Sequence, residues 1–362
     1  MRTFKSLLYN FFLLCQYTVG RVKDYKYGGC EKSILKRFID QVYWIFKEGK
    51  VNTNYYLQGI GKKGNKISSY IGTKEFIRLQ RKANKLLREK MGYCESIDFL
   101  TKNKLVFSAY AKTLGIPVPD APFAVSFGKL ISLSAYDNLL ELEDGPYFIK
   151  NTIIESGEGV HRFMVRDRKI EMHSKEWTQE EFISNFNVGV WIIQKGVYSH
   201  KLIQKVNDSA LNTTRIYTMN TGYGVELIGA FQAFATDNAT IDSWQFGTVY
   251  VGINTDSLSL TKYGVTSLTD TREGLLQNHP NSGVVFSNYS IPYIKETVHL
   301  CKYAHELLLG FFIIGWDVAI TEKGPIIIEA NEKPGINVVQ CFTGGLKKVV
   351  MDGFGSVKKS AV

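Results

Sequence analysis

Cysteine is scarce and scattered in this 362-residue chain. Its five cysteines, Cys15, Cys30, Cys94, Cys301 and Cys341, form no C-x-x-C pair and join no histidine at zinc-binding spacing. An odd, dispersed set argues against a disulfide scaffold and fits a reducing cytoplasm. Long apolar runs are missing as well. No stretch reaches the roughly 18 residues needed to span a bilayer, and Leu7 to Leu14 is interrupted by Asn10. Arg2 and Lys5 ahead of that stretch give a leader-like start, but Gln16, Tyr17 and Arg21 follow where an A-x-A-like cleavage site would stand. Repeats and low-complexity tracts are absent. No Gly-Lys-Ser/Thr closes a Walker A loop, no GxGxxG turn occurs, and no Ser/His/Asp or Cys/His constellation suggests a protein nucleophile.

What the chain does have is positive charge. The net charge is +10 and the pI about 9.1, which favours an anionic partner. The excess is concentrated in residues 1–112, with Lys62, Lys63, Arg78, Arg81, Lys82, Lys85, Arg88 and Lys90. Hydrophobic and charged fractions of 44% and 22% are those of an ordinary globular protein. The length calls for two or three lobes around more than one core.

The N-terminal segment mixes Phe, Leu and Tyr with Lys and Arg. That composition suits a helix lying on a membrane surface or docking on the protein's own core, and docking is favoured because most amphipathic helices are internal. Residues 31–48 and 73–91 are helix candidates. In the second, Phe76, Ile77, Leu79, Ala83, Leu86 and Leu87 make an apolar stripe opposite a basic face. Gly59 to Lys66 reads as a solvated basic loop or a phosphate contact. Leu105 to Leu114 is helical and Gly115 ends it before Ile116-Pro-Val-Pro119. Strands are expected at Tyr147 to Lys150, up to Val165, at Trp191 to Val197, Thr214 to Met219, Val225 to Phe234 and Thr248 to Ile253. Tyr293 to Leu309 reads as a helix between Pro292 and Gly310.

The most informative segment runs from Asp317 to Gly335. Phe311 to Ile320 and Pro325 to Ala330 are apolar and rich in β-branched or aromatic residues, and Thr321-Glu-Lys-Gly324 between them is a polar turn. A turn near Lys323 brings Asp317 opposite Glu329. Because side chains alternate along a strand, Asn331 points the same way as Glu329. Two facing carboxylates repel unless a cation lies between them, and hard oxygen donors of this kind suit Mg²⁺. The alternative is a pair of solvated strand-end acids.

Lys150 ends a strand and precedes Gly157-Glu-Gly159, whose backbone can approach a phosphate closely while the ammonium neutralises it; a plain hairpin turn beside a surface lysine is the competing reading. His161, His173, His279, His299 and His305 lack a paired acid at informative spacing and read as structural. Trp244-Gln-Phe-Gly247 is a candidate acceptor loop.

The order of these parts resembles the ATP-grasp superfamily over about residues 100–345: Lys104 at the start of a helix, Lys150 before the glycine loop, Gln194 on an apolar strand, Arg215 on the next, then Asp317, Glu329, Asn331 and Pro334-Gly335. Gln194-Lys-Gly-Val-Tyr-Ser-His200 and Asn212-Thr-Thr-Arg-Ile216 resemble, more narrowly, the sugar-transfer-associated ATP-grasp group of polysaccharide gene clusters. The resemblance implies an α+β fold in which two subdomains clasp ATP, with a basic, mainly helical N-terminal region at 1–100. The first part of the clasp would occupy 101–200, the second 201–350, and 351–362 would be a tail. By the same resemblance Lys104 and Lys150 contact the phosphates, Gly157 and Gly159 close over them, and Gln194, Lys195 and Val197 form the adenine hinge. His200 stands near the ribose, where relatives carry an acid, as many carry Glu at Gln194. Arg215 holds a transferred phosphoryl or acylphosphate, and Asp317, Glu329 and Asn331 hold Mg²⁺. The implied activity is a carboxylate–amine ligase working through an acylphosphate on a sugar or polysaccharide precursor, such as a uronic acid joined to an amino acid. A phosphotransferase acting on a hydroxyl, or a non-catalytic membrane-surface protein, are the alternatives. ATP, Mg²⁺ and a small-molecule or glycan substrate are expected, nucleic acid is not, and the basic N-terminal region suits peripheral attachment at the inner membrane face.

Overall fold

The computed structural model describes residue 9, residues 11–15, residue 18, and residues 30–93, 95–154, 159–237, 247–266 and 275–361. Gly157 and residues 244–246 of the candidate acceptor loop lie outside them.

Two amphipathic helices open the described chain, α1 (Ile34–Glu48) and α2 (Thr73–Met91). The apolar stripe of α2 is turned inward, with Phe76, Leu79, Ala83 and Leu87 buried, and Gly92 ends the helix in the left-handed conformation at φ 68°. Its N-terminus has no cap of its own. The Glu48 carboxylate of α1 accepts from the amides of Lys74 (2.7 Å) and Glu75 (3.2 Å), placing negative charge where the helix dipole favours it. Arg88 leaves the basic face expected for it: it donates to the Gly310 carbonyl, pairs with Asp98 and stacks on Phe311.

Helix α3 (Lys104–Thr113) follows, capped by the Asn103 side chain, which accepts from the amides of Leu105 and Val106. The chain then builds a first antiparallel sheet from β1 (Phe123–Ser126), β2 (Lys129–Ser132), β3 (Gly145–Asn151), β4 (Val160–Arg166), β5 (Lys169–Met172), β6 (Lys175–Trp177) and β7 (Val190–Lys195), in the order β2-β1-β7-β3-β4-β5-β6. One face of it buries Phe123, Tyr147, Phe163, Phe182 and Ile193.

A second antiparallel sheet contains β8 (Thr214–Asn220), β9 (Val225–Phe234), β10 (Val249–Ile253), β11 (Leu260–Thr266), β12 (Leu275–Leu276), β13 (Ile313–Thr321) and β14 (Gly324–Asn331), ordered β12-β11-β10-β9-β8-β13-β14. The long connection from β12 to β13 carries α4 (Ile294–Glu306), and α5 (Lys347–Ser360) ends the described chain. Strand alternation gives this sheet two buried faces. Ile216, Trp316 and Val318 face a core completed by α3 and α4, whereas Tyr217, Met219 and Ile313 face one completed by α2 and α5. Two features depart from the sequence expectation. Helix α3 packs through Phe107 and Ala111 into the second sheet's core, although it precedes the first sheet in the chain. Residues 351–360, expected as a tail, continue α5, where Phe354 and Val357 are buried against β8.

Trp316 anchors the first of these cores: it is fully buried and its indole N–H donates to Thr218 Oγ1 at 2.7 Å. The same hydroxyl meets His305 Nδ1 at 2.7 Å, and the other nitrogen of that ring lies 2.9 Å from the Phe311 carbonyl. Burial pushes the imidazole down to about 4, so His305 is a neutral structural group, as its isolated position in the sequence suggests. Replacing Trp316→Ala leaves a cavity and strands part of this network. The expected loss is about 3–5 kcal/mol of unfolding free energy in a urea titration, and a loss below about 1 kcal/mol would contradict this account of the core.

Candidate functional site

Strand pairing alone assembles the site. The tight turn after Thr321 pairs Val318 with Ile327, and a bulge between Asp317 and Val318 then shifts the register by one, so that Asp317 pairs with Glu329 and Gly315 with Asn331, the pairing the sequence predicts. On the other side β8 pairs with β13 and puts Arg215 directly across from Asp317. The guanidinium fork then grips the carboxylate at both oxygens, Nε to Oδ1 at 2.5 Å and Nη2 to Oδ2 at 2.7 Å. Asn331 Nδ2 donates to the same Oδ2 at 3.0 Å. Gly315 is required here because a Cβ would lie 2.6 Å from the Pro334 ring and 3.5 Å from the Arg215 fork.

Lys104 joins the two sheets. Its backbone N–H donates to the Thr152 carbonyl (2.8 Å), its ammonium donates to the Ile154 carbonyl (2.7 Å), and the same ammonium lies 3.7 Å from Glu329 Oε1. Lys150, half-buried at the end of β3, faces the same charges. The sequence reading supposed that a cation must separate the two acids. Protein cations already face each of them, Arg215 on Asp317 and Lys104 near Glu329, and with Lys150 they outnumber the two acids, leaving positive charge for an anion.

The crowding of charge shifts the proton affinities of these groups. Burial lowers Lys150 to about 8, with Glu329 opposing and Lys104 adding to the shift. Burial raises the Glu329 carboxyl above its ordinary value; Lys104 works against that and Asp317 with it. For Arg215, burial opposes the charge but Asp317 more than offsets it, so the group is held in its charged form.

The donor set fits a magnesium ion, which prefers oxygen ligands, keeps several waters and shares its shell with phosphates. Among the described residues no cluster of three or more His, Cys, Asp and Glu that could hold a metal exists. Both Asp317 oxygens are already hydrogen-bonded, so Glu329 is the carboxylate most available to a metal, with the Asn331 carbonyl oxygen beside it.

The remaining expected residues lie along the first sheet and beyond. Gln194 is buried and pairs with Phe148 across β3 and β7. The Lys195 amide donates to the Asp120 carbonyl (2.8 Å) and its ammonium pairs with Glu143, so only its backbone carbonyl could serve a ligand. No described residue accepts from the Val197 amide. His200 is engaged at both nitrogens, Nδ1 accepting from the Leu202 amide and Nε2 lying 3.4 Å from Glu322. Gly159 has φ 68°, a left-handed conformation suited to glycine at the root of its loop. The sequence reading missed Tyr217, which burial pushes up to about 12 against the opposing Arg215 charge and whose hydroxyl donates to the Gly335 carbonyl. Alternation from Arg215 points it to the same face and would have found it. Missed too was Glu332, a buried acid with one oxygen lacking a hydrogen-bond partner.

The family model described as sugar-transfer associated ATP-grasp matches residues 88–351. Among solved structures the chain is similar to D-alanyl-alanine synthetase A from Vibrio cholerae, at 12% identity and TM-score 0.43, covering 73% of this chain and 66% of that one. It is also similar to a D-alanine–D-alanine ligase from Helicobacter pylori (15%, TM-score 0.41, 71% and 61%) and to the ATP-grasp ligase PsnB complexed with minimal precursor, Mg and ADP (11%, TM-score 0.38, 73% and 61%). The matched part therefore spans about two thirds or less of these neighbours. No curated protein matches the chain.

Lys150 gives a test of the charge balance. Between its folded value of about 8 and its ordinary 10.5, the unfolded chain holds a proton that the folded chain has released, so folding becomes more favourable as pH rises across that window. Lys150→Met lacks this contribution. Wild-type stability measured by urea unfolding should gain about 1–2 kcal/mol on the variant across the window, less than the full shift implies because the ammonium remains partly exposed. A constant difference would show that Lys150 is not desolvated.

Proposed function

This chain belongs to the sugar-transfer-associated ATP-grasp family, and from that premise we propose that it is an ATP-dependent ligase joining a carboxylate to an amine through an acylphosphate. The observation that carries the proposal is the meeting of Lys104, Lys150 and Arg215 with Asp317, Glu329 and Asn331 where the two sheets face each other.

On this reading the adenine lies against Gln194 and the backbone at Lys195 and Val197, and its triphosphate extends toward Lys150 and Lys104. Glu329 and Asn331, with the remaining lone pairs of Asp317, would hold magnesium, which would supply charge neutralisation at the phosphate oxygens. The substrate carboxylate attacks the γ-phosphate, and Lys104 and Lys150 spread the charge that develops on the transferring group. Arg215, fixed by Asp317, presents its remaining N–H groups to the acylphosphate. The amine then displaces phosphate and an amide results. No side-chain nucleophile is needed.

The acceptor is proposed to be an anionic saccharide. A cavity of about 430 Å³ opens on the face of the second sheet that carries Arg215, lined by Lys62, Lys66 and Lys262 together with Tyr263 and Phe342. Among the described residues these three lysines form no ion pair, which leaves their charge for a ligand. A row of rings leads to the cavity from beside Arg215: Tyr217 and Phe231 lie 6.1 Å apart, and Phe231 and Phe342 6.3 Å apart. Gln58 and Gln340 brace its walls by hydrogen bonds to Asn337 and Ile71, so the cavity is formed before any ligand arrives.

Glu329→Gln should lower ADP formation about 100-fold or more, with an unchanged melting temperature; full activity in this variant would overturn the metal assignment. Product analysis tests the chemistry. A ligase releases inorganic phosphate with ADP only when carboxylate and amine are both supplied, whereas phosphate retained on a hydroxyl acceptor would establish the phosphotransferase alternative.

A further inference from the structure

Helix α1 is packed the wrong way round for a helix in water. Its buried residues are Arg37, Asp40, Gln41, Trp44 and Glu48. Its exposed residues include Ile34, Leu35, Phe38, Ile39, Tyr43 and Phe46, with Leu35 69% and Phe46 87% exposed. Amphipathic helices of globular proteins do the opposite. The inversion is held in place by specific bonds. Asp40 pairs with Lys32 at 2.7 Å and accepts from the Tyr55 hydroxyl at 2.6 Å, Gln41 exchanges hydrogen bonds with the backbone of Asn52, and Glu48 caps α2. With its polar side committed in this way, α1 cannot roll to hide its apolar side without breaking every one of these contacts.

The apolar surface extends beyond α1 and is bordered by charge of one sign. Leu14 packs into the same small core as Trp44 and Tyr55, while its neighbours Phe11 and Phe12 are exposed. At the C-terminal end of α1, Lys47 and Lys50 share a groove with Lys74, Arg78, Arg81 and Lys82 from α2. The acids in that groove, Glu48 and Glu75, are committed to the α2 N-terminus and to Lys47 and Lys347. Among the described residues, Lys50, Lys74, Arg78, Arg81 and Lys82 form no ion pair.

We propose that α1 docks on an anionic bilayer surface, with its apolar side in the headgroup–acyl boundary and the basic groove on the lipid headgroups. Large apolar side chains beside clustered Lys and Arg match what such a surface offers. A second copy of this chain is a poorer occupant, because pairing two α1 faces would bring like-charged grooves together. Among the described residues no helix is long and apolar enough to cross a membrane, so the contact would be peripheral. The module that carries α1 also supplies Lys62 and Lys66 to the cavity, which would bring that cavity close to lipid-anchored molecules. The docking itself does not depend on the reaction catalysed.

Co-sedimentation of the full chain with vesicles tests it. The protein should sediment with vesicles containing phosphatidylglycerol at least tenfold more than with pure phosphatidylcholine. This preference should weaken as ionic strength rises from about 0.1 to 1 M, where the screening length falls from about 10 to 3 Å. Leu35→Glu/Phe46→Glu should abolish sedimentation with its melting temperature kept, since both side chains point into solvent, and Arg78→Glu/Arg81→Glu should remove the lipid selectivity. The proposal falls if wild type binds neither vesicle or if the Leu35/Phe46 variant binds as wild type does. It falls equally if wild type is a dimer that this variant dissociates while neither protein sediments with vesicles, which would assign the face to a second copy.

Discussion

Everything around the site depends on the grip of Arg215 on Asp317. Two carboxylates facing each other across a hairpin, at the edge of an apolar ribbon, cannot both stay ionised without nearby positive charge. The guanidinium meets that need for one of them at two points, and the geometry comes from backbone register alone. Lys104 and Lys150 serve the other less tightly, so the two acids end up different. Asp317 accepts three hydrogen bonds and acts as an anchor. Glu329 has only an ammonium 3.7 Å away, and burial raises it above its usual range.

That arrangement constrains its surroundings. The Pro334 segment can cross β13 beside the fork only because Gly315 has no side chain. Behind the hairpin, Gln80 of α2 donates to the carbonyls of Ile313 and Glu332, tying the end of the site strand to the helix that the basic groove occupies. Farther along the same face, Gln340 accepts from the amides of Ile71 and Leu346 and donates to Ile71 and Ile336. Buried side-chain amides spanning backbone groups in this way hold the α2 region, the β14 exit and the cavity wall as one unit.

Local patterns in the sequence were faithful guides. The β13–β14 hairpin, the bounds of α2 and the strand at Tyr147 to Lys150 all follow from alternation, helical periodicity and turn residues, although the pairing of Asp317 with Glu329 also needs a bulge that no local pattern announces. Non-local facts were not available from such patterns. Nothing near Arg215 says that its strand lies against β13, so the ion pair between Arg215 and Asp317 has no local signature. Nothing near Phe107 says that α3 will serve the second sheet's core. Periodicity also shows that a helix has two unlike sides without saying which one turns inward. In α2 the usual choice holds. In α1 it is reversed, because Asp40, Gln41 and Glu48 find partners from Lys32, Tyr55, Asn52 and the α2 N-terminus that only the folded chain brings together.

Lys104 bonds to the carbonyls of Thr152 and Ile154 at the rim of the first sheet and approaches Glu329 on the second. A hinge motion that parts the two sheets must either pull this ammonium off the loop or take it away from the acid. In the second case Glu329 loses the nearest cation that faces it. Lys104 is thus a latch between the two sheets, and any separation of them has to break one of its two attachments.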